Sequence, residues 1–201
     1  MKLIGIVGGI ASGKSFVSRA FQDLGAKWID ADAMVHEAYR LPSVLHAISQ
    51  RWGTHVLDQQ GNLDRRQVAS IVFASNPGAK SELAWLEALV HPLVAEQIED
   101  QLEQWRLDPS IQVVVLDAPV LIQAGWDRLC DKLIFVDADE TQRMSRAQAR
   151  GWTREEWQRR ESLQTSLEEK LARSTWSIDN NGSPADTLAQ VRMIWKSLVS
   201  N

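Results

Sequence analysis

The chain has little of what extracellular scaffolds and general polyanion binders are made from. Its one cysteine, Cys130, excludes an internal disulfide framework and suits the cytosol, so a cytoplasmic location is expected. There is no basic excess. The formal charge of −4 argues against general nucleic-acid binding, so positive charge for an anionic ligand must be concentrated locally. No apolar run approaches the length of a membrane span, and none is expected to meet a membrane. The start, Lys2 followed by apolar residues, is broken by glycines and by Lys14, which fits a strand and loop better than a signal peptide. No fixed-period repeat and no low-complexity tract is present. What remains is an ordinary globular composition, 44% hydrophobic and 24% charged, in 201 residues. That length is enough for one α/β domain with insertions or for two small domains. Nine scattered tryptophans read as packing residues.

Against that background one stretch stands out. Gly8-Gly9-Ile10-Ala11-Ser12-Gly13-Lys14-Ser15 fits G-x-x-x-x-G-K-[ST], the Walker A loop that wraps nucleotide phosphates. Leu3-Ile4-Gly5-Ile6-Val7 before it is a short apolar run of strand type. After it, Phe16, Val17, Ala20, Phe21 and Leu24 recur at helical spacing, and Gly25 supplies a stop. Strand, glycine loop and helix together turn main-chain N–H groups and a helix N-terminus onto one place. Lys14 can then reach the β- and γ-phosphates, and the Ser15 hydroxyl can ligate Mg²⁺.

Further along, Lys27-Trp28-Ile29 reads as a second strand ending in Asp30-Ala31-Asp32. Residues two apart on an extended chain point the same way, so both carboxylates can face one site at the strand's carboxyl edge. Asp32 can equally cap a helix beginning near Ala33. From Ala33 to about Arg106 the pattern is helical and more polar, punctuated by Pro42, Gly53, Gly61 and Asn76-Pro77-Gly78. Asp64 stands where a helix can start, with Arg65 and Arg66 in its first turn. Cations there oppose the helix dipole, so they serve either a ligand or a solvated charged turn. His91-Pro92 reads as structural or catalytic, with Pro92 able to open a fresh helical turn. Ile111-Gln112-Val113-Val114-Val115-Leu116 is the clearest buried strand, and Asp117 at its end resembles a Walker B acid serving Mg²⁺. Lys132-Leu133-Ile134-Phe135-Val136 is the next strand. Then come Arg143, Arg146, Arg150, Arg154, Arg159 and Arg160, interleaved with Glu155, Glu156 and Glu161. Arg146 and Arg150, four apart, share a helix face, which suits a phosphate-covering lid; a salt-bridged surface helix is the other reading. Thr175-Trp176-Ser177-Ile178 looks like a last strand, followed by a turn and a closing helix from about Pro184.

Taken in order, these motifs resemble the dephospho-coenzyme A kinase family over essentially the whole chain. The resemblance rests on Gly8 through Ser15, Leu24-Gly25, Ile29-Asp30-Ala31-Asp32, Arg65-Arg66, His91-Pro92, Pro119-Val120-Leu121, and Lys170-Leu171-Ala172-Arg173 leading to Ile178-Asp179-Asn180. It implies ATP-dependent phosphorylation of the ribose 3′-hydroxyl of dephospho-coenzyme A, with Mg²⁺, as the last step of coenzyme A synthesis. It also implies an α/β fold: a P-loop parallel five-stranded sheet flanked by helices, with a helical acceptor-binding insertion and a lid. The single kinase domain would have its core at about 1–32, 107–139 and 172–201, the insertion at about 33–106 and the lid at about 140–171.

Carried over by position, the resemblance gives ATP to Ala11, Ser12, Gly13, Lys14, Ser15, Phe16, Arg150 and Asn180. Catalysis falls to Asp32, Lys14 and Arg146, with Asp32 the base for the 3′-hydroxyl. The acceptor falls to Asp32, Arg65 and His91, and Mg²⁺ to Ser15 and Asp117. The chain departs from the family pattern at Phe16, at Gln123, where a glutamate is usual, and in the lid around Arg150-Gly151-Trp152-Thr153. Shikimate kinases also pair a Walker A loop with Asp-x-Asp, but are normally shorter in the helical insertion. A small GTPase is disfavoured because no Asn-Lys-x-Asp motif is present.

Overall fold

The computed structural model describes residues 1–74 and 76–200. β1 (Lys2–Gly8) is buried from Leu3 onward and leads through the glycine loop into α1 (Lys14–Asp23). The helix ends at Leu24, and Gly25 then takes a positive φ of 108°, a conformation that glycine adopts without steric cost. β2 (Lys27–Asp30) runs directly into α2 (Ala31–Ala38). α3 (Pro42–Trp52), a short 3-10 turn at Thr54–Val56, α4 (Arg65–Val72) and α5 (Ala79–Arg106) follow. β3 (Val113–Asp117) and β4 (Lys132–Asp137) precede α6 (Glu140–Gln148), α7 (Arg154–Glu161) and α8 (Leu167–Ala172). β5 (Trp176–Asp179) and α9 (Pro184–Val199) close the chain.

The chain folds as two compact units, one made of Met1–Asp30 and the residues from Glu103 onward, the other of Ala31–Leu102. In the first unit the strands form one parallel sheet in the order β2-β3-β1-β4-β5. Its inner strands β1, β3 and β4 are apolar and buried almost throughout, as strands covered on both faces are. Ile4, Ile6, Val113, Val115, Ile134, Val136 and Ile178 project to one face, against Val17 and Phe21 of α1 and Val191, Ile194 and Leu198 of α9. On the opposite face Gly5 is hemmed in by Leu121, Cys130 and Leu133. α9 starts on a capping box in which the Ser183 and Asp186 side chains each accept a hydrogen bond from the other residue's backbone N–H.

The second unit is helical, as expected, but two local expectations fail. Pro92 does not open a helix; it lies inside α5, which runs unbroken for 28 residues. The proline lacks only the N–H that would reach Ala88, and continuous burial of Leu86, Val90, Val94, Ile98 and Leu102 holds the helix through that loss. Likewise Asp32 is not on extended chain. Because α2 begins at Ala31, Asp32 sits in its first turn, so the two-residue alternation that would align it with Asp30 does not apply. Asp64 is the N-cap of α4, its carboxylate accepting from the N–H groups of Arg66 and Gln67.

Phe21 is fully buried between the sheet and α9. Phe21→Ala should therefore destabilise the protein by about 3–5 kcal/mol in denaturant unfolding. A loss below ~1 kcal/mol would mean that the face between α1 and α9 is not a packed core.

Candidate active site

The glycine loop lies at the carboxyl end of β1, central in the sheet, where ligands sit in open α/β folds. Gly8 has φ +157°, and a Cβ there would meet the Val136 carbonyl and Ser12 Oγ at 2.6 and 2.7 Å. Gly13 has φ +102° and no room for a side chain beside Asn180. Ala11, at φ 62°, is left-handed without being glycine, which marks a constrained turn.

Turning amides toward a ligand turns carbonyls away, and four loop carbonyls are bound from behind. Lys14 Nζ donates to Gly8 O (3.4 Å) and Gly9 O (3.1 Å), and Lys170 Nζ also donates to Gly8 O (3.2 Å). Arg146 Nη1 donates to Ala11 O (3.4 Å) and Ser12 O (3.1 Å), while its Nη2 reaches Gln142 (2.9 Å) and Asn180 O (3.1 Å). Asn180 Nδ2 donates to Ser12 O at 2.7 Å, and Thr187 fixes that amide by donating to its Oδ1 at 2.9 Å. Arg143, only 4% exposed, packs its guanidinium against Gly9, pairs with Glu161, binds Ala138 O and stacks over Trp157.

The arginine-rich segment is salt-bridged in part, as one of the two expectations had it. Glu161 and Glu156 pair with Arg143 and Arg160, while Arg146 grips the loop itself. Arg150 does not share Arg146's helix face. α6 ends at Gln148, so Arg150 lies in the exposed turn beyond it, and the four-residue spacing loses its meaning there. Phe16 is 38% exposed rather than part of α1's buried face.

Beside Lys14, two strand ends and a helix gather oxygen ligands. Asp117 ends β3 in register with Asp30 of β2 and Ile6 of β1. Its Oδ2 lies 3.0 Å from the Ser18 hydroxyl, and the Ser15 side chain hydrogen-bonds it as well. Burial raises the Asp117 pKa most; Lys14, Ser18 and Ser15 lower it, and Asp30 raises it. Asp117 and Ser15, both hard oxygen donors, fit Mg²⁺, which takes one or two protein oxygens together with substrate phosphates. Among the described residues no three His, Cys, Asp or Glu gather into a protein-only cage.

Within the helical unit a cavity of about 250 Å³ is lined by His36, Tyr39, Arg40, Leu45, Asn62, Leu63 and Arg65. Tyr39 is pushed up to about 12, mainly by burial and by Glu87, with Arg65 pulling it back. Arg65 is in this cavity; His91 is not among its lining residues. Burial lowers the His91 pKa, favouring a neutral imidazole. His36, Tyr39 and Arg40 escape a sequence reading: His36 is on α2, while Tyr39 and Arg40 lie in the turn that follows it, so no helix-face pattern marks the three together. Ser18, Thr187, Arg143 and Lys170 were missed as site residues too.

A glycine loop between the central strand and first helix of a parallel 2-3-1-4-5 sheet, with an acid ending the neighbouring strand, is the architecture of a P-loop kinase. The particular family follows from comparison with known proteins. Residues 2–186 match the family model described as dephospho-CoA kinase. A dephospho-CoA kinase of Symbiobacterium thermophilum is 43% identical over 98% of this chain and 81% of its own length. A solved structure from Thermus thermophilus, 33% identical, superposes with a TM-score of 0.80 over 98% of this chain and 97% of its own. A shikimate kinase from Acinetobacter baumannii, 14% identical with a TM-score of 0.53 over 100% of this chain and 94% of its own, shares the fold alone. The chain belongs to the dephospho-CoA kinase family. It is a kinase that phosphorylates dephospho-coenzyme A with ATP at the ribose 3′-hydroxyl, the final step of coenzyme A biosynthesis.

Two outcomes follow from this geometry. The native fold holds the proton on Asp117 more tightly than the unfolded chain does, so that group's contribution to stability is lost as pH rises through its raised pKa. Asp117→Asn should accordingly raise the melting temperature of the ligand-free protein at pH 7 while abolishing turnover; a lowered melting temperature would contradict this. Arg146→Ala strips donors from Ala11, Ser12 and Asn180 carbonyls, so melting temperature and kcat should fall together. A fall in kcat alone would show that Arg146 serves only the nucleotide.

Proposed function

We propose that phosphoryl transfer in this chain is carried by Lys14, Arg146 and Asp32, with the other groups supplying position and charge. The observation that supports it best is the convergence of Lys14, Ser15, Asp117 and Asp30 at one carboxyl edge of the sheet. The loop amides from Ala11 to Phe16 hold the ATP phosphates, Ser12 through its main chain because its side chain is buried. Lys14, an ammonium on a flexible stem, follows charge onto the transferring group. Arg146 exchanges loop carbonyls for phosphate oxygen, Asn180 keeps the loop in shape beside the nucleotide, and Arg150, exposed beyond α6, adds a mobile guanidinium.

Ser15 and Asp117 would hold Mg²⁺, which when bound neutralises charge on the β- and γ-phosphates. In the helical unit Arg65, at the first position of α4, meets an anionic part of dephospho-coenzyme A in the cavity beside Tyr39. His91, kept neutral by burial, offers the acceptor a hydrogen bond rather than a charge. The single cysteine, pushed up to about 12 by burial, is an inert thiol suited to a cytoplasmic enzyme.

Asp32 is the base for the 3′-hydroxyl. It follows Asp30 by two residues, so chain connectivity alone keeps its Cα within about 7 Å of that of Asp30. A ribose hydroxyl is a poor nucleophile and must shed its proton as it attacks phosphorus. Base assistance of this kind contributes about 10²- to 10⁴-fold. Asp32→Asn should lower kcat by that range with both substrates still bound, measured by steady-state kinetics and titration calorimetry. If Asp30→Asn is nearly dead and Asp32→Asn nearly normal, Asp30 is the base instead.

A further inference from the structure

Lys170 is the most deeply buried amine in the first unit, 3% exposed, and lies on α8 outside the glycine loop. Its Nζ donates to Gly8 O at 3.2 Å and to Gln164 Oε1 at 2.8 Å. The same Gly8 carbonyl is reached by Lys14 Nζ at 3.4 Å. Two ammonium groups therefore converge on one peptide oxygen at the point where β1 becomes the loop. When phosphate draws Lys14 forward, Gly8 O would lose that donor in a buried setting, which is costly unless another remains.

We infer that Lys170 is a positioning residue for phosphoryl transfer, holding the Gly8 carbonyl so that the loop keeps its shape when Lys14 moves to the nucleotide. This rests on the loop holding the ATP phosphates as described above. The charges that face Lys170 are Lys14 from α1, Arg143 from α6 and Glu161 from α7. Burial first, then Lys14 and Arg143, lower its pKa, opposed by Glu161, and it comes down to about 8. A bound polyphosphate adds negative charge beside this group and raises its pKa again. Nucleotide binding must then take up a proton above pH 8, and affinity must fall as pH rises from about 8.

The measurement is titration calorimetry of ADP with Mg²⁺ on the whole protein between pH 7.5 and 9.5, in buffers of different ionisation heat. Wild-type protein should take up a proton near pH 8.5 and lose about tenfold in affinity over that range, as a pKa rise of about one unit requires. Lys170→Arg stays charged throughout and should bind with a flat pH profile. Lys170→Met should bind weakly at every pH without proton uptake, and its KM for ATP should rise about tenfold while that for dephospho-coenzyme A stays. The assignment is overturned if wild-type binding takes up no proton, or if Lys170→Arg keeps the wild-type fall in affinity. It is overturned equally if a folded Lys170→Met binds as wild type does. Should Lys170→Met fail to fold, the wild type and Lys170→Arg still decide the matter. Wild-type protein that binds no ADP at any pH would instead sink the phosphate-loop site itself.

Discussion

A loop that presents its amides to phosphate must point its carbonyls into the protein, and most of this unit's polar architecture answers that one constraint. Buried carbonyls without donors cost about as much as a lost hydrogen bond each. Here the donors come from four separate places in the sequence: Lys14 on α1, Arg146 on α6, Lys170 on α8 and Asn180 after β5. Three of the four, Lys14, Arg146 and Lys170, are charged, and such donors bind more strongly than neutral ones. They also leave a positive field behind the loop, so the arrangement that satisfies the carbonyls is the one that attracts a polyanion. In a chain with net charge −4 these cations supply local positive charge where the overall balance supplies none.

The same economy appears on the acidic side. Asp117 is buried at the sheet's edge beside Asp30, an arrangement that opposes ionisation, and Lys14, Ser15 and Ser18 offset part of that cost. A site that is uncomfortable when empty binds a cation more readily, because the metal removes the repulsion. Stability is given up locally where function needs a buried carboxylate, and the apolar core between α1, α9 and the sheet makes up the difference.

Wherever a local signal was strong, the sequence made the structure legible. Strand runs of β-branched residues, the glycine loop and the Asp64 cap each act within a few residues, so their pattern is visible without the fold. The failures share one cause: each needed to know where an element ends. Asp30 and Asp32 look equivalent on an extended chain, but α2 begins between them. Arg146 and Arg150 look equivalent on a helix, but α6 stops first. Pro92 looks like a helix start until the buried positions on both sides of it hold one helix together. Lys170 stands in the Lys170-Leu171-Ala172-Arg173 motif, but nothing in the sequence says that its ammonium reaches a carbonyl 162 residues away.

Gln123 shows how a departure from a family pattern can carry its own physical sense. Its Nε2 donates to the carbonyl of Leu163, 2.9 Å away, in the segment joining α7 to α8. A glutamate carboxylate has no proton to give there and would set its charge against that oxygen. The amide therefore ties the residues after β3 to the segment from which Gln164 reaches Lys170. The chain from β3 to the loop then runs through one connected set of hydrogen bonds: Gln123 to Leu163, Gln164 to Lys170, Lys170 to Gly8. In a protein that must keep its phosphate loop formed while Lys14 changes partners, an amide at 123 supports the loop where an acid would pull against its support.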